Sequence, residues 1–176
     1  MQSVIKLGCA AAASLLPGIA VAQQLSVDIA KISDTGVGEK IGTATITAGT
    51  KGGTTFHIRL TGVPAGAHGF HVHQTGNCDP AMKDGKMTAG VAAGEHFDPD
   101  AKKSHKGPQR GGHKGDLPAL TATAKGIDQR VRAPRLDLAD VQGLALIVHE
   151  GGDNYRDMPE NGGGKGRIAC GVVPKV

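Results

Sequence analysis

Aromatic side chains are nearly absent from the 176-residue sequence, which has three phenylalanines, one tyrosine and no tryptophan. The chain is basic, with a net charge of +4 and a pI near 9.1, a balance that often accompanies nucleic-acid binding. Single-stranded nucleic acids are bound by stacking bases on aromatic rings, and the basic residues here are scattered rather than clustered. The composition therefore argues against a nucleic-acid partner and favours a mildly positive surface that attracts small anions.

Long apolar runs are also absent, apart from one near the N-terminus. This run covers about residues 7–19 and is followed by Ala20-Val21-Ala22, a small-x-small cleavage signal. It is too short to span a bilayer comfortably. A first core helix is the alternative, but polar Gln23-Gln24 and a strand pattern follow at once. We therefore interpret residues 1–22 as a cleaved signal peptide and predict one exported domain, residues 23–176, without a membrane segment.

Cysteine is scarce, with three residues in the whole chain. Cys9 lies in the predicted signal peptide, so the mature chain would keep Cys78 and Cys170. An even pair in an exported protein suggests one disulfide. Two buried free thiols are the alternative.

Short alternating stretches dominate what remains of the chain. In the first, Leu25, Val27 and Ile29 face one side of a predicted strand and polar residues face the other. Strands at this spacing, separated by Gly- and Pro-rich turns such as residues 34–39, predict a single all-β domain, an antiparallel sandwich or barrel. The predicted strands cover residues 25–32, 40–47, 54–60, 67–74, 119–124, 129–133, 144–150 and 167–173.

The alternation stops between Thr75 and about Leu117, and a second Gly-rich loop separates the last two predicted strands. A loop of some forty residues is unusual in a compact domain unless something other than a core orders it. Metal–ligand bonds can supply that order.

Histidines are placed where they could bind such a metal. His71 and His73 are two residues apart on a predicted strand, so both side chains point to the same face, and His149 ends a strongly apolar strand. Alone, each feature has a simpler explanation: a surface pair, a hydrogen-bonded core histidine or solvated loop residues. Together they predict a metal site, for which imidazole suits copper and zinc and a carboxylate with histidines suits zinc. The candidates in the long loop are His96, His105, His113 and Asp116.

With these residues in this order, the chain resembles the copper/zinc superoxide dismutases in their bacterial exported form. The matching segments follow the order and spacing of that family over most of the mature chain. They are GFHVH (69–73), AAGEHFDP (92–99), SHKGP (104–108), GHKGDLP (112–118), VHEGGDN (148–154) and GRIACGV (166–172).

The resemblance implies an eight-stranded antiparallel Greek-key barrel, an immunoglobulin-like sandwich with two long active-site loops. It also implies an enzyme that dismutes superoxide to oxygen and hydrogen peroxide in the periplasm, with copper and zinc as cofactors. The implied copper ligands are His71, His73, His96 and His149, and the implied zinc ligands are His96, His105, His113 and Asp116, with His96 bridging both metals.

Four further roles follow from the same resemblance. Arg167 would attract and orient the anion, and together with His96 it would form the catalytic set. Asp153 would link a copper ligand to a zinc ligand, and Cys78 and Cys170 would form the family disulfide. His68 would bond backbone across loops, whereas His57 is expected on the outer surface.

Some questions stay open at the level of sequence. Glu95 precedes the bridging histidine where the family usually has Gly or Pro, and its carboxylate could point outward or weaken the approach of the anion. Lys83, Lys86 and Lys165 could steer superoxide or be plain solvated lysines. A homodimer is expected, although the tryptophan common in bacterial dimer interfaces is missing. Rival functions are a non-catalytic copper carrier or chaperone, a copper-only dismutase and an adhesion-type sandwich with a structural zinc.

Overall fold

The computed structural model describes residues 23–176, so the predicted signal peptide and Cys9 lie outside the described residues. Two short 3₁₀ helices occupy Val91–Ala93 and Glu160–Gly163, and within residues 23–176 no helix is long and apolar enough to cross a membrane. The strands are β1 (Gln24–Ser33), β2 (Gly36–Ala48), β3 (Thr54–Leu60), β4 (Gly66–His68), β5 (Phe70–His73), β6 (Ala81–Lys83), β7 (Lys86–Thr88), β8 (Leu120–Ala122), β9 (Ile127–Ala133), β10 (Ala145–His149) and β11 (Arg167–Val172).

Seven strands form one curled antiparallel sheet in the order β5-β10-β11-β1-β2-β3-β9. The last strand, β11, pairs with the first, β1, with Ala30 opposite Cys170, so the two ends of the described chain meet in the middle of the sheet. Strands β4 and β8 pair separately, and β6 and β7 form a hairpin. The expected all-β class is confirmed by this curled antiparallel sheet, and the two long loops run between β5 and β8 and between β10 and β11.

Two differences from the sequence prediction lie in the part of the chain that carries the candidate histidines. The stretch at 67–74 is split into β4 and β5 at Gly69, whose N–H donates to the carbonyl of Gly151 in the second long loop. The region from Thr75 to Leu117 is not free of regular structure, because the β6–β7 hairpin and a 3₁₀ helix lie within it. Hairpin strands of three residues are too short to produce a readable alternation.

The hydrophobic core lies inside the curled sheet. Because alternate residues of each strand are buried in it, these segments are favoured as strands. In β1 buried and exposed residues alternate, and Val27 and Ile29 point inward. Phe56 of β3 and Phe70 of β5 are fully buried and meet edge to face, with ring centroids 5.9 Å apart. Each such side chain contributes roughly 1.5–3 kcal/mol through burial. With few aromatics available, the core is otherwise aliphatic, and it fixes β5 and β10 as a rigid base for the histidines.

Candidate metal centre

Three of the candidate histidines come from two neighbouring strands. In the β5–β10 ladder, His71 lies opposite Ile147 and His73 opposite Ala145, and the N–H of His149 donates to the carbonyl of Gly69. The rings of His71 and His149 have centroids 4.8 Å apart, and those of His73 and His149 are 5.7 Å apart. The two-residue spacing of His71 and His73 points both rings to the same face of β5, and the β5–β10 pairing places that face beside the end of β10.

The fourth histidine, His96, comes from the first long loop, which covers the free edge of β5. His96 forms an isolated bridge with His73, and Asp116 forms one with His71. Gly115 allows this close approach, because a Cβ there would lie 2.3 Å from the carbonyl oxygen of Val72. One ring nitrogen from each of His71, His73, His96 and His149 lies within 4.8 Å of the others, and all four residues are buried.

The partners of these rings determine which nitrogen faces the centre of the group. A carboxylate or carbonyl oxygen can only accept, so His71 Nε2 donates to Asp153 Oδ2 at 2.8 Å and His73 Nδ1 donates to the carbonyl of Gly94 at 2.9 Å. Each ring then keeps one nitrogen lone pair free. Within the described part of the chain His71 Nδ1, His73 Nε2, His96 Nε2 and both nitrogens of His149 are buried without a hydrogen-bond partner. Buried polar atoms are rarely left unpaired, and a metal ion is the partner that suits all four rings.

The electrostatics of this group favour neutral imidazole. Burial is the main reason that the pKa values of His71 and His73 are well below the usual range, and the neighbouring His96 lowers both further. Burial, followed by His96 and Arg167, lowers the pKa of His149 to about 3. Metals bind the deprotonated ring, so at neutral pH these histidines need not lose a proton to become ligands.

A second group surrounds one oxygen of Asp116. The Nδ1 atoms of His96, His105 and His113 lie 3.1, 2.9 and 3.3 Å from Asp116 Oδ1. The other oxygen, Oδ2, accepts from the backbone N–H groups of Lys106 and Gly107, both at 3.1 Å. The carboxylate is thus oriented by the backbone on one side and faces three imidazoles on the other. Three imidazole nitrogens and one carboxylate oxygen are a donor set typical of zinc.

This second group stabilises a positive charge. Burial works against ionisation of His105, but hydrogen bonds to Asp116 and Asp153 outweigh it and raise the pKa of His105 to about 9. Burial alone would raise the pKa of Asp116, yet the hydrogen bonds from His105, His113 and His96 hold it far below the usual range. A buried, ionised carboxylate among imidazoles is the electrostatic environment that a divalent cation requires.

Asp153 lies between the two groups. Its Oδ1 accepts from His105 Nε2 and its Oδ2 from His71 Nε2, both at 2.8 Å, and its side chain is fully buried. One carboxylate therefore orients a histidine in each group.

Arg167 stands at the first residue of β11, beside the first group. Its Nη1 donates to the carbonyl of Gly90 at 2.6 Å and its Nη2 to that of Gly94 at 2.8 Å. Burial lowers the pKa of Arg167, while the charges of Glu95 and Glu160 oppose that change. The half-buried guanidinium borders a cavity of about 380 Å³ that His149 also lines. Lys83 and Lys165 line this cavity, whereas Lys86 is not among its lining residues.

The cysteines form a disulfide that supports this arrangement. Cys78 and Cys170 are bonded, with their Cα atoms 5.8 Å apart. Cys170 lies three residues after Arg167 on β11, and Cys78 begins the loop segment that carries Gly90 and Gly94. The bond therefore ties Arg167 and its two carbonyl acceptors to one another.

The remaining histidines take no part in either group. His68 lies within hydrogen-bond distance of two carbonyl oxygens, those of His149 (2.7 Å) and Pro64 (2.8 Å), and thus joins loops as expected. His57 lies on the outer face of β3 and contacts Asp128 at 2.6 Å.

Two residues that support the site are not apparent from the sequence. Arg135, just after β9, donates to the carbonyls of Gly107, Pro108, Gly112 and His113, and so holds the loop segment around the second group. Asp157 accepts from the backbone N–H of His105 at 2.6 Å. A lone arginine after a strand and an aspartate in a polar loop carry no pattern that separates them from solvated residues.

Comparisons with known proteins agree with this geometry. The family described as copper/zinc superoxide dismutase (SODC) matches residues 40–173. The chain is 47% identical over 150 residues to superoxide dismutase [Cu-Zn] 2 of Salmonella typhimurium, covering 84% of this chain and 86% of that protein. It is 44% identical over 157 residues to superoxide dismutase [Cu-Zn] of Brucella abortus, covering 88% and 90%.

Solved structures give the same result. The Cu/Zn superoxide dismutase from Brucella abortus superposes with a TM-score of 0.82 at 43% identity, covering 85% of this chain and 99% of that one. The solution structure of the monomeric copper, zinc superoxide dismutase from Salmonella enterica superposes with a TM-score of 0.72 at 44% identity, covering 86% and 99%.

Proposed function

The chain belongs to the copper/zinc superoxide dismutase family, and we propose that the two histidine groups described above are its copper and zinc sites. It is an oxidoreductase that converts superoxide to oxygen and hydrogen peroxide, with copper and zinc as cofactors. The proposal assigns copper to His71, His73, His96 and His149, and zinc to His96, His105, His113 and Asp116.

The observation that carries the assignment is the set of buried, unpaired ring nitrogens in the first group. His71 and His73 each use one nitrogen in a hydrogen bond and leave the other free toward the same point. Copper held there would supply one-electron chemistry by alternating between Cu(II) and Cu(I): one superoxide would give up an electron and leave as O₂, and a second would take up that electron and two protons to become H₂O₂. The second group, with its carboxylate, suits an ion without redox chemistry.

His96 belongs to both groups. Its Nδ1 faces Asp116 and its Nε2 is directed to the first group without a hydrogen-bond partner. We assign to His96 the role of bridge between the two metals and carrier of a proton on Nε2 whenever that nitrogen is not bound to metal. With both nitrogens of the His96 ring used in this way, each site would help to fix the position of the other.

Cobalt in place of zinc tests this bridge. We expect the visible absorption of the cobalt-loaded protein to shift when one equivalent of copper is added, because a shared imidazole changes its electronic character when the second ion binds. The control is His73→Gln, which removes one ring of the first group alone; it should weaken copper binding and reduce the shift at one equivalent of copper, while cobalt stays bound. An unchanged spectrum on full copper loading of the unsubstituted protein would mean that the two sites are separate.

Arg167 is proposed to attract and orient superoxide. Its charge is fixed at the cavity by two carbonyl acceptors, and superoxide is a small monoanion whose reaction is limited by encounter. Replacing it (Arg167→Ala) should lower the bimolecular rate constant by about tenfold, with metal content unchanged, because the two side-chain hydrogen bonds of Arg167 go to backbone carbonyls rather than to a ligand ring. Arg167→Lys should restore part of the rate. Superoxide decay measured by stopped flow gives both values, and equal rates in all three proteins would remove the role.

The rival functions account for fewer of these observations. A copper-only dismutase has no use for His105, His113 and Asp116 converging on one point. An adhesion-type sandwich with a structural zinc leaves the first group and Arg167 unexplained. A copper carrier leaves Arg167 at the mouth of the cavity without a purpose.

We propose further that residues 1–22 are removed as a signal peptide and that residues 23–176 act in the periplasm. The disulfide supports an oxidising compartment, and the relatives described above are bacterial. A homodimer stays a prediction, and the Salmonella enterica relative described as monomeric supplies the alternative that sedimentation must distinguish.

A further inference from the structure

A carboxylate stands at the mouth of the anion cavity. Glu95 is exposed, directly precedes His96, and lines the same cavity as Arg167 and His149. A negative charge there opposes the approach of an anionic substrate, so its presence calls for a function other than simple attraction.

The backbone around Glu95 is fixed. Its carbonyl accepts from the N–H of Gln74 at 3.0 Å. The preceding Gly94 has a φ of 73°, its carbonyl accepts from Arg167 and His73, and a Cβ there would lie 2.5 Å from the side-chain nitrogen of Gln74. The Glu95 carboxylate is therefore tethered to a rigid segment next to the guanidinium.

The two glutamates that line the cavity differ in their partners. Glu160 pairs with Lys83 at 3.2 Å, whereas Glu95 makes no ion pair within residues 23–176. Burial lowers the pKa of Arg167, and the charges of the two glutamates oppose this effect. The charge of Glu95 raises the pKa of Arg167 more than the charge of Glu160 does.

We propose that Glu95 is a specificity-determining residue that excludes multiply charged anions from Arg167 while leaving it accessible to the monoanion superoxide. The inference rests on the proposed role of Arg167. Coulomb energy scales with the charge of the ligand, so Arg167 alone attracts a dianion more strongly than a monoanion. Glu95 repels the dianion by the same doubled amount, and hydrogen phosphate is the common small dianion that would otherwise compete with the substrate.

The proportionality between Coulomb energy and ligand charge gives the expected size of each effect. If removal of the Glu95 charge raises the superoxide rate constant by about threefold, a typical effect of one charge near a solvated site, the affinity for a dianion should rise by the square of that factor, about ninefold. The ratio of the two changes, rather than either one, is the signature of discrimination by charge.

The experiment uses the full mature chain loaded with copper and zinc, at about pH 8, where inorganic phosphate is chiefly a dianion. Glu95→Gln removes the charge, Glu95→Asp keeps it, and Asp128→Asn makes the same change of net charge on β9, at the opposite end of the sheet from β5. For each protein, stopped flow gives the superoxide rate constant and calorimetric titration gives the dissociation constant of phosphate. We expect both to change in Glu95→Gln, by about threefold and ninefold, and neither to change in the other two.

The proposal would be overturned if Glu95→Gln changed the superoxide rate constant and the phosphate affinity by the same factor. It would also be overturned if the phosphate affinity did not change. Phosphate binding that survives in Arg167→Ala with an unchanged dissociation constant would also overturn it, because the competing anion would then not be bound at Arg167. Failure of the proposed function looks different: the loaded, unsubstituted protein would itself show no superoxide decay, while the phosphate titrations would still report on Glu95.

Discussion

Selective removal of copper should abolish superoxide dismutation completely and leave the barrel folded. The first histidine group would lose the only redox-active ion of the site, and zinc, which has a filled d shell, cannot replace it. The fold should persist because its core is built from aliphatic residues and two phenylalanines rather than from metal ligands. His71 and His73 are held on β5 by the ladder to β10 whether or not an ion is bound.

The measurement combines metal content by mass spectrometry with superoxide decay and circular dichroism. One equivalent of copper should restore the full rate, and the same amount of zinc should restore none. Activity that persists after copper has fallen below detection would contradict the assignment. A matched variant, His149→Gln, should resist full reactivation by copper because it removes one ligand from the end of β10.

Loss of the disulfide should have the largest effect on stability. The bond between Cys78 and Cys170 spans 92 residues, and the chain-entropy model assigns a loop of that length roughly 4–5 kcal/mol, an upper figure because native strain opposes it. Typical domains are stable by only 5–15 kcal/mol. The double variant Cys78→Ala and Cys170→Ala should therefore lose several kcal/mol of unfolding free energy, on the order of 3–4 kcal/mol.

Urea denaturation of the double variant and of the oxidised protein measures this difference. The variant Cys78→Ser and Cys170→Ser is the control for side-chain chemistry, because Cys170 is buried and a serine there adds a polar group. We also expect reduced activity, since the segment that carries Gly90 and Gly94 would no longer be tied to β11 beside Arg167. A loss of under about 1 kcal/mol would mean that the unfolded chain is already compact in this region.

Much of the fold was predictable because the core is one-sided. Strands such as β1 and β3 bury every second residue, so the sequence alternates visibly. The start of β2 was predicted less well: β2 begins at Gly36 rather than at Lys40, so residues 37–39 belong to a strand rather than to a turn. Their side chains are exposed. Because this part of the strand has no buried face, its sequence does not alternate between apolar and polar residues.

The convergence of the two histidine groups could be predicted for a different reason. The spacing of His71 and His73 is a local signal, and the resemblance implied the partners that are distant in the sequence. The roles of Arg135 and Asp157 could not be predicted from the sequence, because their side chains form hydrogen bonds with backbone carbonyls and amides. Backbone acceptors are present at every residue, so nothing in the sequence marks which of them a side chain will reach.

The single carboxylate of Asp153, hydrogen-bonded to a ring in each histidine group, would couple the affinities of the two groups for their metals, and thermodynamic linkage makes any such coupling reciprocal. Any factor by which zinc changes the affinity for copper is the factor by which copper changes the affinity for zinc. The order in which the ions arrive can therefore alter the route and its speed, but the final occupancy depends only on the concentrations of the two free ions.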